Sequence, residues 1–214
     1  MKTRRSFTRL SGFRDSSIIG IACEGDVTEY RYFEEFRVRY TDFPSRIHIE
    51  LIKRQEASES APEHVIASID AFKKSKAGLD DEFWAVIDYD RWGEKKLSEI
   101  AQQASQKGYR VAVSRPCFEA WLLLHWIEDT EIEKTWLSKL NEKGCKDIAD
   151  ELRKIRGHYR KELNDADEYI EQAERAIRNA QSLDINPSDR WPQSFGSRVY
   201  RICERIKKQQ RKKE

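Results

Sequence analysis

The chain has 214 residues, 38% of them hydrophobic and 36% charged. That length suits one large α/β domain, or one domain with a helical extension, with a sparing core under a heavily charged surface. The 40 Lys+Arg nearly cancel the 38 Asp+Glu, so net charge selects no class of partner, although the ends are basic. Lys2, Arg4, Arg5, Arg9 and Arg14 open the chain without an acid, and KKQQRKKE (207–214) closes it. Basic ends of this kind are either solvated termini or phosphate contacts. The longest apolar run, FEAWLLLHWI (118–127), is too short for a bilayer and carries Glu119 and His125, so no membrane association is expected. No apolar stretch follows the basic start as in a signal peptide. Cys23, Cys117, Cys145 and Cys203 lie far apart with no CxxC pair. That spacing argues against a zinc knuckle and a disulfide framework, and a reduced, cytoplasmic protein is expected.

In chain order, SIIGIAC (17–23) is a β-branched run that predicts a buried strand. VTEYRYFEEFRVRY (27–40) spaces Val27, Tyr30, Phe33 and Phe36 by three, one face of a helix. RIHIELIK (46–53) alternates as a strand. Pro62 opens a helix whose apolar side is Val65, Ile69 and Phe72. EFWAVIDYD (82–90) predicts a third strand ending in acids. EKKLSEIAQQASQKG (94–108) predicts a helix closed by Gly108, YRVAVS (109–114) a fourth strand, and CFEAWLLLHWIED (117–129) a buried helix. Strand and helix thus alternate over 17–114, the pattern of a mainly parallel sheet flanked by helices.

Beyond residue 130 only helical patterns remain. EIEKTWLSKLNEKG and CKDIADELRKIRGHY read as short helices. NDADEYIEQAERAIRNAQSL (164–183) carries a stripe of Ala166, Ile170, Ala173, Ile177 and Ala180. SFGSRVYRICERIKK (194–208) predicts a last helix with Ser194 as its N-cap. The expected organisation is a basic segment (1–16), an α/β domain (17–129) and a helical extension packed on it (130–214).

Ligands of such sheets sit beyond the carboxyl ends of the strands. Glu24, followed by Gly25, stands at one such end. It is either a cap for the next helix or a carboxylate aimed into the cleft. Asp88 and Asp90 stand at another. On an extended strand they would share a face, and two crowded acids favour a hard cation, Mg²⁺ or Mn²⁺. The alternative is a solvated acidic turn. Glu119, next to apolar neighbours, needs a partner, either a metal or Arg115. Glu29 and Thr28 fall in the first turn of their helix, facing the same cleft. His125 lies too far along the helix from Glu119 to share its face, and a structural histidine is expected. No GxSxG, HExxH, P-loop or GxGxxG motif is present.

Taken together and in this order, CEGDVTEYRYFEEF, VIDYDRW, RPCFEAWLLLHW and PQSFGSRVYRI resemble the RloB-like family. Such proteins look like variants of the Toprim fold, in which a Glu after the first strand and a DxD after a later one hold Mg²⁺. Glu24, Asp88 and Asp90 match that pattern. The resemblance implies an antiphage effector nuclease of abortive infection, found beside an ABC-type or AAA-type ATPase. The catalytic set expected on that basis is Glu24, Asp88, Asp90 and Glu119, supported by Gly25, Glu29 and Arg115. Lys53, Arg54 and Arg91 would contact nucleic-acid phosphates. The helical half would serve the partner or a second copy of the chain. The rival expectation is a non-catalytic module that binds or regulates through the ATPase.

Overall fold

The computed structural model describes residues 17–40, 47–53, 61–76, 81–128, 136–137, 139–140, 142 and 144–211. Four parallel strands form its centre: β1 (Ser17–Cys23), β2 (Ile47–Ile52), β3 (Glu82–Asp88) and β4 (Arg110–Arg115). A two-residue strand, β5 (Gly196–Ser197), pairs antiparallel with the end of β4, and the order across the sheet is β2-β1-β3-β4-β5. The register sets Cys23 beside Val86 and Asp88 beside Ser114, so the strands β1, β3 and β4 finish along one edge.

Both faces of the sheet are buried, and period-two alternation sorts the side chains between them. Ile19 and Ile21 of β1, Trp84 and Val86 of β3, and Ala112 of β4 face one layer. Ala22, Phe83, Ala85, Ile87 and Val113 face the other. That second layer is thin, built by Val65, Ile66 and Ile69 of α2 (Pro62–Lys76) and by Leu97, Ile100 and Ala104 of α3 (Gly93–Gln106). Gly108, at φ +74°, closes α3 in the left-handed conformation that a glycine adopts without strain. Gly20 of β1 is required for space, since a Cβ there would lie 2.6 Å from the Phe83 ring.

The first layer is thick. It contains α1 (Thr28–Tyr40), α4 (Phe118–Leu123), α5 (Cys145–Arg156), α6 (Ala166–Glu171), α7 (Ala173–Leu183) and α8 (Val199–Arg211). One continuous core runs through it, from Ile19 and Phe33 to Tyr169, Ile177 and Ile206. Among the described residues no helix is long and apolar enough to cross a membrane.

Three boundaries differ from the sequence expectation. The helix expected over 117–129 stops at Leu123 and tightens, with His125 N and Trp126 N donating to carbonyls three residues back. Asn179 of α7 explains the stop, because its Nδ2 donates to the carbonyls of Leu124 (2.8 Å) and Ile127 (2.7 Å) that a longer helix would need. The 164–183 stripe is two helices broken at Gln172. α6 packs on α1, whereas α7 packs on α4 and α8. The last helix starts at Val199, and its amide bonds Ser197 Oγ at 3.2 Å, so Ser197 rather than Ser194 does the capping. Ser194 is separated from the helix by β5.

The return of the chain to β4 is fixed by one buried ion pair. Arg198, 1% exposed, gives Nε and Nη2 to the Asp184 carboxylate at 3.1 and 2.9 Å, and Tyr200 OH adds a third bond at 2.9 Å. Burial alone would raise the Asp184 carboxyl, but the bonds from Arg198 and Tyr200 and the charges of Arg198 and Arg201 together outweigh it and hold it below its ordinary value. Arg198→Ala removes two hydrogen bonds from that carboxylate but leaves it those of Tyr200 and Arg201, and a loss of about 1.5–3 kcal/mol is expected in urea unfolding. The lowered acid also fixes the sign of the pH effect. The contribution of the pair is present above the ordinary Asp value of about 4, and it fades as pH falls through the lowered one. The gap between wild type and Arg198→Ala should therefore narrow in acid.

Candidate functional site

The carboxyl edge of the sheet gathers the acids. Glu24 follows β1 directly and is 2% exposed. Its backbone N–H donates to Val86 O at 3.0 Å, which continues the β1–β3 pairing by one residue and fixes the side chain over β3. Glu24 Oε2 then accepts the Asp88 amide at 3.2 Å, while Oε1 accepts Arg91 Nη1 at 3.0 Å. Asp88 is an even-numbered residue of β3, so alternation turns it to the face that holds α1 and α4. Its Oδ1 accepts the Phe118 amide at 2.9 Å, which ties the end of β3 to the start of α4.

Glu29 lies in the first turn of α1, and its carboxylate folds back over Gly25. A side chain at position 25 would displace that carboxylate from its place over the turn. Glu119, in the first turn of α4, accepts the Tyr159 hydroxyl at 3.0 Å. Aromatic packing brings these two helices together. Tyr32 of α1 meets Phe118 and Trp121 of α4 edge to face, with ring centroids 5.7 and 6.0 Å apart. His125 completes the contact, its Nδ1 hydrogen-bonded to Trp121 O at 2.9 Å and its Nε2 3.1 Å from Tyr32 OH. Burial drives its pKa down to about 3. The ring is neutral and structural, as its position on the helix suggests.

The acids act on one another. Burial pushes the Asp88 carboxyl well above its ordinary value, and the charges of Glu29, Glu24 and Glu119 push it further. Burial pushes Glu29 up to about 7, with Glu119 and Glu24 adding to it. Burial also raises Glu24. Glu24, Glu29, Asp88 and Glu119 therefore share one electrostatic site drawn from the edge of the sheet, α1 and α4.

Asp90 is placed differently from the shared strand face. β3 ends at Asp88, and the amides of Tyr89 and Asp90 both donate to Pro116 O, at 3.0 and 3.1 Å. The chain turns there, and Asp90 becomes exposed, still close enough to raise Glu24 electrostatically. Its Oδ2 accepts Cys145 Sγ at 3.0 Å. Arg115 turns away from Glu119. It lies over the Tyr89 ring, 4.0 Å from its centroid, and reaches Pro192 O at 3.4 Å.

Lys53, exposed, stands 4.9 Å from the centre of the Tyr30 ring. Both line a cleft of about 300 Å³ with Gly25, Asp26, Ile21 and Leu51, next to Glu24 at the β1–β2 edge. Arg91 is half-exposed and engaged with Glu24. Arg54 and the basic residues before Ser17 lie outside the described residues.

Two groups were not expected from spacing. Tyr159 reaches Glu119 from beyond α5. Cys117, fully buried ahead of α4, meets Cys145, the first residue of α5, and their sulfurs and a Glu119 oxygen all lie within 4.8 Å of one another. Cys117 was legible as a neighbour of Glu119 in RPCFEAW, but no local pattern marks Cys145.

The fold and site define an α/β protein with a buried acidic cluster, bordered by two thiols, at the carboxyl edge of a mainly parallel sheet. The model of the RloB-like protein family matches residues 19–206, and the chain belongs to that family. No curated protein and no solved structure matches it.

Clustered acids with raised proton affinity are a fit for a hard divalent cation, whose binding must displace protons. Titrating Mn²⁺ into the protein near neutral pH should release roughly one proton per cation, read by calorimetry in buffers of different ionisation enthalpy. Affinity should weaken as pH falls through about 7, where Glu29 takes up its proton. Asp88→Asn should release fewer protons and bind Mn²⁺ more weakly.

Proposed function

We propose that the chain is a Mg²⁺-dependent or Mn²⁺-dependent nuclease of the Toprim type that cleaves nucleic-acid phosphodiesters as an effector of antiphage defence. The observation that carries this reading is the meeting of Glu24 and Asp88 at the carboxyl edge, with Glu29 and Glu119 close enough to raise Asp88 electrostatically. Glu24 and Asp88 would hold the metal, with Asp90 completing the set from its turn. Glu119 and Glu29 would extend the site or orient the attacking water. When bound, the cation supplies charge neutralisation at the scissile phosphate and acidifies water. Lys53, Arg54 and Arg91 would contact the phosphate backbone without reading sequence. Family context implies an ABC-type or AAA-type ATPase as partner, with the helices after residue 130 as the surface for it or for a second copy of the chain.

A second reading has its own support. Arg91 already supplies a positive charge to Glu24 at 3.0 Å. An acidic site neutralised from within suits a non-catalytic module that binds or regulates through the ATPase.

Manganese binding separates the two readings before any cleavage assay, because an effector held silent without its partner would give a blank. An anomalous peak between Glu24 and Asp88 in a Mn²⁺-soaked crystal is the expected result. Cleavage of DNA, RNA and tRNA should then appear with the triggered ATPase present. Asp88→Asn retains the acceptor for the Phe118 amide, so it should fold and yet lose at least about a hundredfold in cleavage. An empty cleft at saturating Mn²⁺, or full cleavage by Asp88→Asn, would favour the module.

A further inference from the structure

The geometry points to a second metal site, held by thiolates, which we propose is formed by Cys117, Cys145 and Glu119 and takes a borderline-soft divalent cation of the zinc class. Two sulfurs and a carboxylate oxygen within 4.8 Å of one another are close enough to share one ion after small side-chain rotations. The donor set, and not proximity alone, selects the metal. Magnesium and calcium take oxygen ligands, whereas two thiolates favour zinc and its relatives. Three protein ligands leave one tetrahedral position open, the arrangement of catalytic zinc rather than of a closed structural site.

The surroundings are those of a ligand set. Cys117 is held in extended backbone, φ −151° and ψ 177°, immediately before α4. That conformation places its sulfur beside Glu119 rather than along the helix. Tyr159 OH orients the Glu119 carboxylate at 3.0 Å. Cys145 is half-buried, and its thiol faces the exposed Asp90, with 3.0 Å between Sγ and Oδ2. The thiol of Cys145 is thus the member of the set nearest the surface. Binding exchanges the two thiol protons for the cation, and both protons leave to solvent. No electron transfer is involved. The inference does not rest on the nuclease reading, since it would hold equally for a module that cuts nothing.

Cobalt reports the site directly, because cobalt bound by thiolate absorbs in the near ultraviolet and cobalt bound only by carboxylates does not. The full chain, reduced and stripped of metal, should develop thiolate-to-cobalt absorption that saturates near one equivalent. Zinc should abolish it, and excess Mg²⁺ should leave it. Cys145→Ser should remove most of the absorption, and Glu119→Gln should weaken cobalt binding at least about tenfold. Cys23→Ser, outside the ligand set, should retain the full signal. Zinc should also protect Cys145 from alkylation, as mapped by mass spectrometry. Absence of the absorption at saturating cobalt, or its survival in Cys145→Ser, overturns the proposal. A positive result in a chain that never cleaves nucleic acid would leave this site standing while the nuclease reading fell.

Discussion

The structure depends on keeping several carboxylates together where water is largely excluded. Separated acids on a surface cost little, but Glu24, Glu29 and Asp88 each hold their protons more tightly because of burial, and further because of the acids beside them. Such an arrangement opposes folding when the acids are ionised. It persists because hydrogen bonds leave the acids little freedom. Glu24 is fixed by the Asp88 amide and Arg91, Asp88 by the Phe118 amide, and Glu119 by Tyr159. Behind them stands the aromatic contact of Tyr32 with Phe118, Trp121 and His125, which contains no ionised group. A rigid apolar joint thus holds an unfavourable polar site, the usual trade of stability for function.

The asymmetry of the two layers follows from that demand. The thin layer under α2 and α3 closes one face of the sheet and carries none of the clustered acids. The thick layer contains α1 and α4, whose first turns deliver Glu29 and Glu119 to the edge. α6 packs against α1, and α5 and α7 pack against α4. Helices after residue 130 therefore brace the two elements that present the acids. Asn179 shows how directly this works, since it takes the carbonyls of Leu124 and Ile127 just beyond the end of α4.

Much of this was legible in the sequence, for reasons that also explain what was not. The strands of a parallel sheet are buried on both faces, so SIIGIAC and EFWAVID appear as plain apolar runs, and the acid ending each run marks the edge. Asp90 was misplaced because strand periodicity carried past Asp88 takes no account of Pro116, whose carbonyl captures two successive amides and turns the chain. Glu119 has Arg115 close in sequence, yet the hydroxyl that bonds its carboxylate belongs to Tyr159, forty residues on. β5 is two residues long and pairs with β4 across a large sequence separation, so no periodicity could announce it. Local patterns record what a residue needs; they do not record which distant residue supplies it.

The cysteines make the same point more sharply. Spacing arguments treat metal ligands as neighbours in sequence, which holds for small domains that fold around an ion. Here the sheet and the aromatic joint hold the fold, so ligands need not be close in the chain. Cys117 is placed by the entry into α4 and Cys145 by the entry into α5, and these helices pack together. Glu119 stands between the thiols and the acids, within 4.8 Å of both sulfurs and close enough to raise Asp88 electrostatically. Glu119 therefore has the oxygen-bearing acids on one side and the two sulfurs on the other, a juxtaposition that the packing of α4 against α5 creates and that no stretch of sequence displays.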